Sequence, residues 1–126
     1  MTYTDFVDHL VFRVSTLEVT ERFYAALLLQ PPERAVDSRM YQVGHTRLFF
    51  TSVAGRQTRT HDKEQVGLNH VASGVRTIED LESIQAQLSD QLIAHSGIVL
   101  DQYGLNEFIW LDDPDGIRVE FYLRTA

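Results

Sequence analysis

Two histidines and a glutamate stand in strand-like segments whose other members are mostly apolar. His9 lies in VDHLVFRV (7–14), His70 in LNHVASGV (68–75) and Glu120 in IRVEFYL (117–123). Alternate residues of a strand point to opposite faces. His9 therefore shares a face with Val7, Val11 and Arg13, and Glu120 shares one with Arg118 and Tyr122. Two imidazoles and one carboxylate can take one side of a divalent ion and leave its other positions open to water and substrate. That facial arrangement suits iron(II), manganese(II), zinc(II), nickel or cobalt. A single histidine on a half-buried strand is more often an ordinary core or surface residue; this trio stands out by where its members fall. His45, His61 and His95 stand in a turn, a polar linker and the stretch after a helix, and are expected to be solvated.

The elements that must position these groups come in two copies. Laying residues 7–27 over residues 68–88 needs no gap and puts His9 on His70, Asp8 on Asn69, Thr16 on Thr77, Glu18 on Glu79, Glu21 on Glu82 and Leu27 on Leu88. Each copy reads as strand, cap and helix, the first helix running from about Leu17 to Leu28 and stopping at Gln30-Pro31-Pro32. Its apolar spacing picks out Val19, Phe23, Ala26 and Leu27. Further on, TRLFFT (46–51) matches IRVEFY (117–122), so that Arg47 falls on Arg118 and Phe49 on Glu120. Met40–Val43 and Arg47–Ser52 form a hairpin about Gly44-His45, and Asp113-Pro114-Asp115-Gly116 supplies the turn before the last strand. The chain is a tandem duplication, with an α+β fold of two βαβββ modules whose curved mixed sheets enclose a trough and carry their helices outside. Module one covers about 5–53, a polar linker about 54–66 and module two about 67–124, all within a single domain of residues 1–126.

Composition excludes several functions. A net charge of −7 with scattered arginines gives no surface for a nucleic-acid backbone. With no cysteine there is no disulfide, thiolate zinc site or cysteine nucleophile. The acidic N-terminus is unlike a signal peptide, and no apolar run reaches membrane length. A soluble cytoplasmic protein without nucleic-acid or membrane partners is expected.

The paired strands with His9 and His70, together with the ending DPDG-x-x-x-E at 113–120, resemble the vicinal oxygen chelate superfamily of glyoxalase I, fosfomycin-resistance transferases, extradiol dioxygenases and bleomycin-resistance proteins. The resemblance implies one divalent metal ion, ligands on the first and last strands of each module, and a small-molecule substrate. His9, His70 and Glu120 fill three of the four ligand places. Phe49 stands at the fourth and can neither bind a cation nor move a proton, a departure from glyoxalase I. The stretch 100–110 holds Tyr103 but no histidine, a departure from the dioxygenases, and Trp110 stands where they carry a tyrosine. The expected function is a glyoxalase- or dioxygenase-like metal-dependent enzyme acting on a small oxygen-bearing substrate. Its pocket candidates are Arg13, Phe49, Tyr103, Trp110 and Tyr122. The alternative is a bleomycin-resistance-type protein that binds a small molecule without catalysis. The resemblance also implies a homodimer whose sites can be shared between chains.

Overall fold

Period-two alternation decides the first strand. In β1 (His9–Val14) Phe12 and Val14 are buried while His9, Val11 and Arg13 are exposed, and the same division recurs around it. In this computed structural model, which describes residues 3–52 and 60–125, the chain divides into two compact units, Met1–Thr58 and Arg59–Ala126.

The first unit continues with α1 (Leu17–Leu28), β2 (Glu33–Ala35), β3 (Ser38–Val43) and β4 (Thr46–Ser52). The second contains β5 (His70–Val75), α2 (Ile78–Asp90), β6 (Val99–Leu100), β7 (Glu107–Asp112) and β8 (Arg118–Leu123). Both four-stranded sheets are open and have the same order, β1-β4-β3-β2 and β5-β8-β7-β6. In each, the first strand runs parallel to the last and the remaining pairs are antiparallel. This is the tandem βαβββ architecture expected from the repeat.

Each helix covers one face of its own sheet. Under α1 the core contains Phe12, Val14, Tyr41, Leu48 and Phe50; the Tyr24 ring sits 4.4 Å from Phe50, and Phe12 stacks on Phe50 at 4.9 Å. The inward row of α1 is Leu17, Thr20, Tyr24 and Leu27. Of the residues picked out by apolar spacing, only Leu27 is fully buried, and Val19 faces outward. Tyr24 wins the inner position because its ring meets Phe50 while its neighbours along the helix do not need to. In the second unit Leu81 and Leu88 of α2 cover Ile109, Leu111, Val119 and Phe121. Thr77 caps α2 through its side chain, accepting the Asp80 N–H at 3.1 Å, whereas the matching Thr16 makes no such bond.

Between β7 and β8 the turn is built around one buried carboxylate. Asp113 Oδ1 accepts the N–H groups of Asp115 at 2.9 Å and Ile117 at 2.8 Å, and Asp113 is only 6% exposed. Gly116 closes the turn at φ +84°, a conformation that favours glycine. A Cβ here would also lie 2.4 Å from Thr60 Cγ2 and 3.2 Å from the His61 carbonyl. Part of the polar segment 54–66 lies outside the described residues; its later part docks on this turn, with the His61 N–H bonded to the Asp115 carbonyl at 2.8 Å. His61 is partly buried and its Nε2 bonds the Leu68 carbonyl at 3.0 Å. His95 is likewise held, between Ser89 Oγ at 3.0 Å and the Gly97 N–H at 2.9 Å. Both histidines are therefore held by hydrogen bonds while staying partly exposed. Among the described residues no helix is long and apolar enough to cross a membrane.

Candidate metal centre

The faces that the helices leave uncovered carry the chemistry-bearing residues. In the second unit the register sets His70 beside Arg118, Ala72 beside Glu120 and Trp110 beside Glu120. His70 Nε2 lies 3.4 Å from Glu120 Oε1. Glu120 is 8% exposed although it sits on the face without a helix. A carboxylate this far from water needs a charged or hydrogen-bonding partner, and His70 is the partner that the sheet provides.

The orientation of the His70 ring follows from its neighbours. Asn69 Nδ2 donates to the Lys63 carbonyl at 2.9 Å, which turns Asn69 Oδ1 toward His70 Nδ1 at 2.8 Å. An amide oxygen only accepts, so Nδ1 carries a proton and Nε2 is the ring nitrogen that faces Glu120. The first unit repeats the device. His9 Nδ1 lies 2.8 Å from Asp8 Oδ2, and Asp8 in turn meets Arg47 Nη1 at 3.6 Å. A metal-binding histidine is ordinarily held this way, by a carboxylate or carbonyl on its second nitrogen. In the second unit His70 Nε2 and the Glu120 carboxylate thus fit two donors to a divalent ion, and in the first His9 is oriented in the same way.

Phe49 takes the register position in the first sheet that Glu120 takes in the second: Val11 lies beside Phe49 as Ala72 lies beside Glu120. Its ring meets the His9 ring edge-on at 5.7 Å and 85°. Phe49 is thus a packing support for the histidine. Arg13, also on this face, reaches Thr51 Oγ1 at 3.4 Å.

The remaining candidates are distributed unevenly. Trp110 and Tyr122 lie on the same face as Glu120. The Arg118 guanidinium sits 4.2 Å over the Trp110 ring and is neutralised by Asp112 at 2.7 Å. Tyr122 stacks on Phe108 at 4.7 Å. Burial, and then the Glu120 charge, push its phenol pKa up, so the hydroxyl stays protonated. Tyr103 is 74% exposed, in a loop that Asp101 organises by accepting the N–H groups of Tyr103 and Leu105. Although burial opposes it, those bonds and the Asn106 amide hold the Asp101 carboxyl below its usual pKa. His70 and Glu120 are thus in contact within the second unit, while His9, Phe49 and Arg13 belong to the first. Among the described residues no group of three His, Cys, Asp or Glu side chains comes together. The residues that sequence reasoning passed over are the histidine-orienting Asp8 and Asn69, which the repeat had already matched, and Arg124, just past the last strand.

The family model of the Glyoxalase/Bleomycin resistance protein/Dioxygenase superfamily matches residues 6–121. Comparison with curated proteins finds no match. Among solved structures, a putative glyoxalase from Bacillus halodurans is similar with TM-score 0.80 and 23% identity, covering 94% of this chain and 95% of that one. Lactoylglutathione lyase from Agrobacterium tumefaciens gives 0.75 and 13%, with 98% and 97% covered. The genomically encoded fosfomycin resistance protein FosX from Listeria monocytogenes gives 0.72 and 14%, with 98% and 96% covered. At such identities the likeness is one of fold.

Proposed function

The chain belongs to the glyoxalase/bleomycin resistance protein/dioxygenase superfamily, and from that premise we propose a metal-dependent enzyme that acts on a small oxygen-bearing substrate. His9, His70 and Glu120 are its ligands for one divalent ion, iron, manganese, zinc, nickel or cobalt. The observation that carries this reading is the His70–Glu120 pair, with Nε2 facing the carboxylate at 3.4 Å and Nδ1 tied to Asn69. When bound, the ion would supply Lewis-acid polarisation of a substrate oxygen. The chain's own contributions are more specific. Asn69 and Asp8 keep the imidazoles in the tautomer that presents Nε2. Tyr122, held protonated, offers a hydrogen-bond donor beside Glu120. Phe49 leaves the first sheet without the carboxylate that glyoxalase I chemistry employs for proton transfer, so a glyoxalase I reaction is not the one proposed.

A homodimer with shared sites accommodates the third ligand: His9 of one chain joins His70 and Glu120 of the other. Sedimentation at micromolar concentration is expected to give a dimer, and a monomer alone would remove the shared site. The function itself is tested by elemental analysis of the protein as purified and by cobalt-dependent thermal stabilisation. Wild type should carry or bind a divalent metal and be stabilised by it, and His70→Ala should lose that gain. Equal stabilisation of both proteins, or no bound metal, would overturn the proposal.

The aromatic row Phe108, Trp110 and Tyr122 favours a second reading, in which a flat ligand is held without chemistry. Ligand-induced stabilisation that survives a chelator would select it.

A further inference from the structure

Just past β8 stands a cation that no carboxylate neutralises among the described residues. The Arg124 guanidinium lies 4.9 Å over the Tyr122 ring, and the Arg124 N–H bonds the Val75 carbonyl at 2.8 Å, so the residue continues the strand's register. Among the described residues no Asp or Glu pairs with it. The contrast with Arg118, which also stacks on an aromatic ring but is neutralised by Asp112, is direct. Stacking covers one face of the guanidinium and leaves its edge donors free, a geometry suited to a carboxylate.

Arg124 also lines a cavity of about 370 Å³ together with His70, Ala72, Gly74 and Tyr122. The room exists because β5 is small on this face. A Cβ on Gly74 would already touch the Arg124 side chain at 3.8 Å. Glu120, Tyr122 and Arg124 follow one another on one row of the strand. Because the Arg124 side chain folds back over Tyr122, its guanidinium is about one row step from Glu120, roughly 6.6 Å along the strand. A single guanidinium beside Glu120, in a chain of net charge −7, suits a monoanionic group better than a dianionic one.

We propose that Arg124 is the carboxylate-recognition residue of the second unit's pocket. The substrate is then a small acid whose carboxylate stands a short carbon chain away from the oxygens that ligate the metal. This rests on the metal-dependent reading above and narrows its substrate class.

Three 2-hydroxy acids test it on cobalt-loaded protein by calorimetry: lactate, which lacks a second carboxylate, and malate and 2-hydroxyglutarate, which carry one. Cobalt binding is titrated first, alone. The longer acids should bind about 10- to 100-fold more tightly than lactate. Arg124→Gln should abolish that difference while leaving cobalt affinity unchanged, and Gly74→Val, which fills the cavity, should weaken all three acids. Trp110 fluorescence checks that each variant is folded. Equal affinities for the three acids, or an unchanged preference in Arg124→Gln, would overturn the proposal with the metal reading intact. If wild type binds no cobalt, the metal reading has failed separately, and an NMR titration of metal-free protein with glutarate then decides Arg124. Shifts at Gly74, Tyr122 and Arg124 that vanish in Arg124→Gln support its role; their absence, or their persistence in the variant, refutes it.

Discussion

Asp113 fixes the turn that aligns β8 against β7, and its removal should be measurable with little ambiguity. Asp113 Oδ1 accepts two backbone N–H groups, from Asp115 at 2.9 Å and Ile117 at 2.8 Å, in a side chain that is almost wholly buried. A hydrogen bond to a charged acceptor contributes about 1.5 kcal/mol at the low end, so Asp113→Ala should cost about 3 kcal/mol. Asp113→Asn keeps an oxygen acceptor and loses the charge, for a cost of about 1 kcal/mol. Trp110 is the only tryptophan and lies on β7, so urea unfolding followed by its fluorescence reads the affected unit. With a slope of about 1.5 kcal/mol/M, the midpoint should fall by about 2 M for Asp113→Ala and about 0.7 M for Asp113→Asn. A shift below 0.5 M for the alanine variant would refute the argument, as would equal shifts for the two. The turn matters to the site because a one-residue slip of β8 would carry Glu120 to the helix-covered face.

Gly116→Ala should destabilise by about 2–4 kcal/mol in the same assay, since it combines a positive φ with a Cβ 2.4 Å from Thr60 Cγ2; Thr60→Ser in the same chain should recover part of the loss. Asn69→Ala should weaken cobalt binding about 10- to 100-fold in calorimetry by releasing the His70 ring, and Asn69→Asp should restore much of it. Phe49→Glu should tighten cobalt binding about tenfold, because it supplies the missing carboxylate at the fourth ligand place. Hydrogen bonding from Arg34 and then Arg39 lowers the Glu21 pKa from 4.5 to about 2, a stabilisation present above about pH 4.5 and lost as pH falls through about 2. Glu21→Gln should lower stability at pH 7 by about 1 kcal/mol after solvent screening and flatten the acid limb of a thermal melt series.

The parts legible in the sequence were those with a long enough period. Alternation over six residues assigned both faces of β1 and β8, and the short match of 46–51 with 117–122 placed Phe49 on Glu120 before any pairing was seen. β2 and β6, of three and two residues, are too short to show a period and exist because β3 and β7 offer them an edge. The α1 face was read one position off because Phe23 and Tyr24 are both aromatic, and only packing on Phe50 chooses between them. His61 looked solvated in a polar stretch, yet that stretch docks through backbone bonds, which composition does not encode. Arg124 was missed because nothing in the residue that follows a strand marks its pairing; the contrast appears only when Arg118 is seen to have Asp112 and Arg124 no carboxylate among the described residues.

The duplication also explains why one half of the candidate site is complete in kind and the other is not. Both sheets hold the same register, and each places a histidine on its first strand, oriented by the residue before it. They diverge at one position on the neighbouring strand. In the second unit that position is Glu120, buried against His70 and able to share a cation. In the first it is Phe49, whose ring edge steadies His9 and contributes neither charge nor proton. One equivalent backbone place thus carries a carboxylate in one sheet and a packing ring in the other, with the same strand register around it. A fold shared by such modules says little about a reaction; what distinguishes the two units here is the side chain at the position of Phe49 and Glu120.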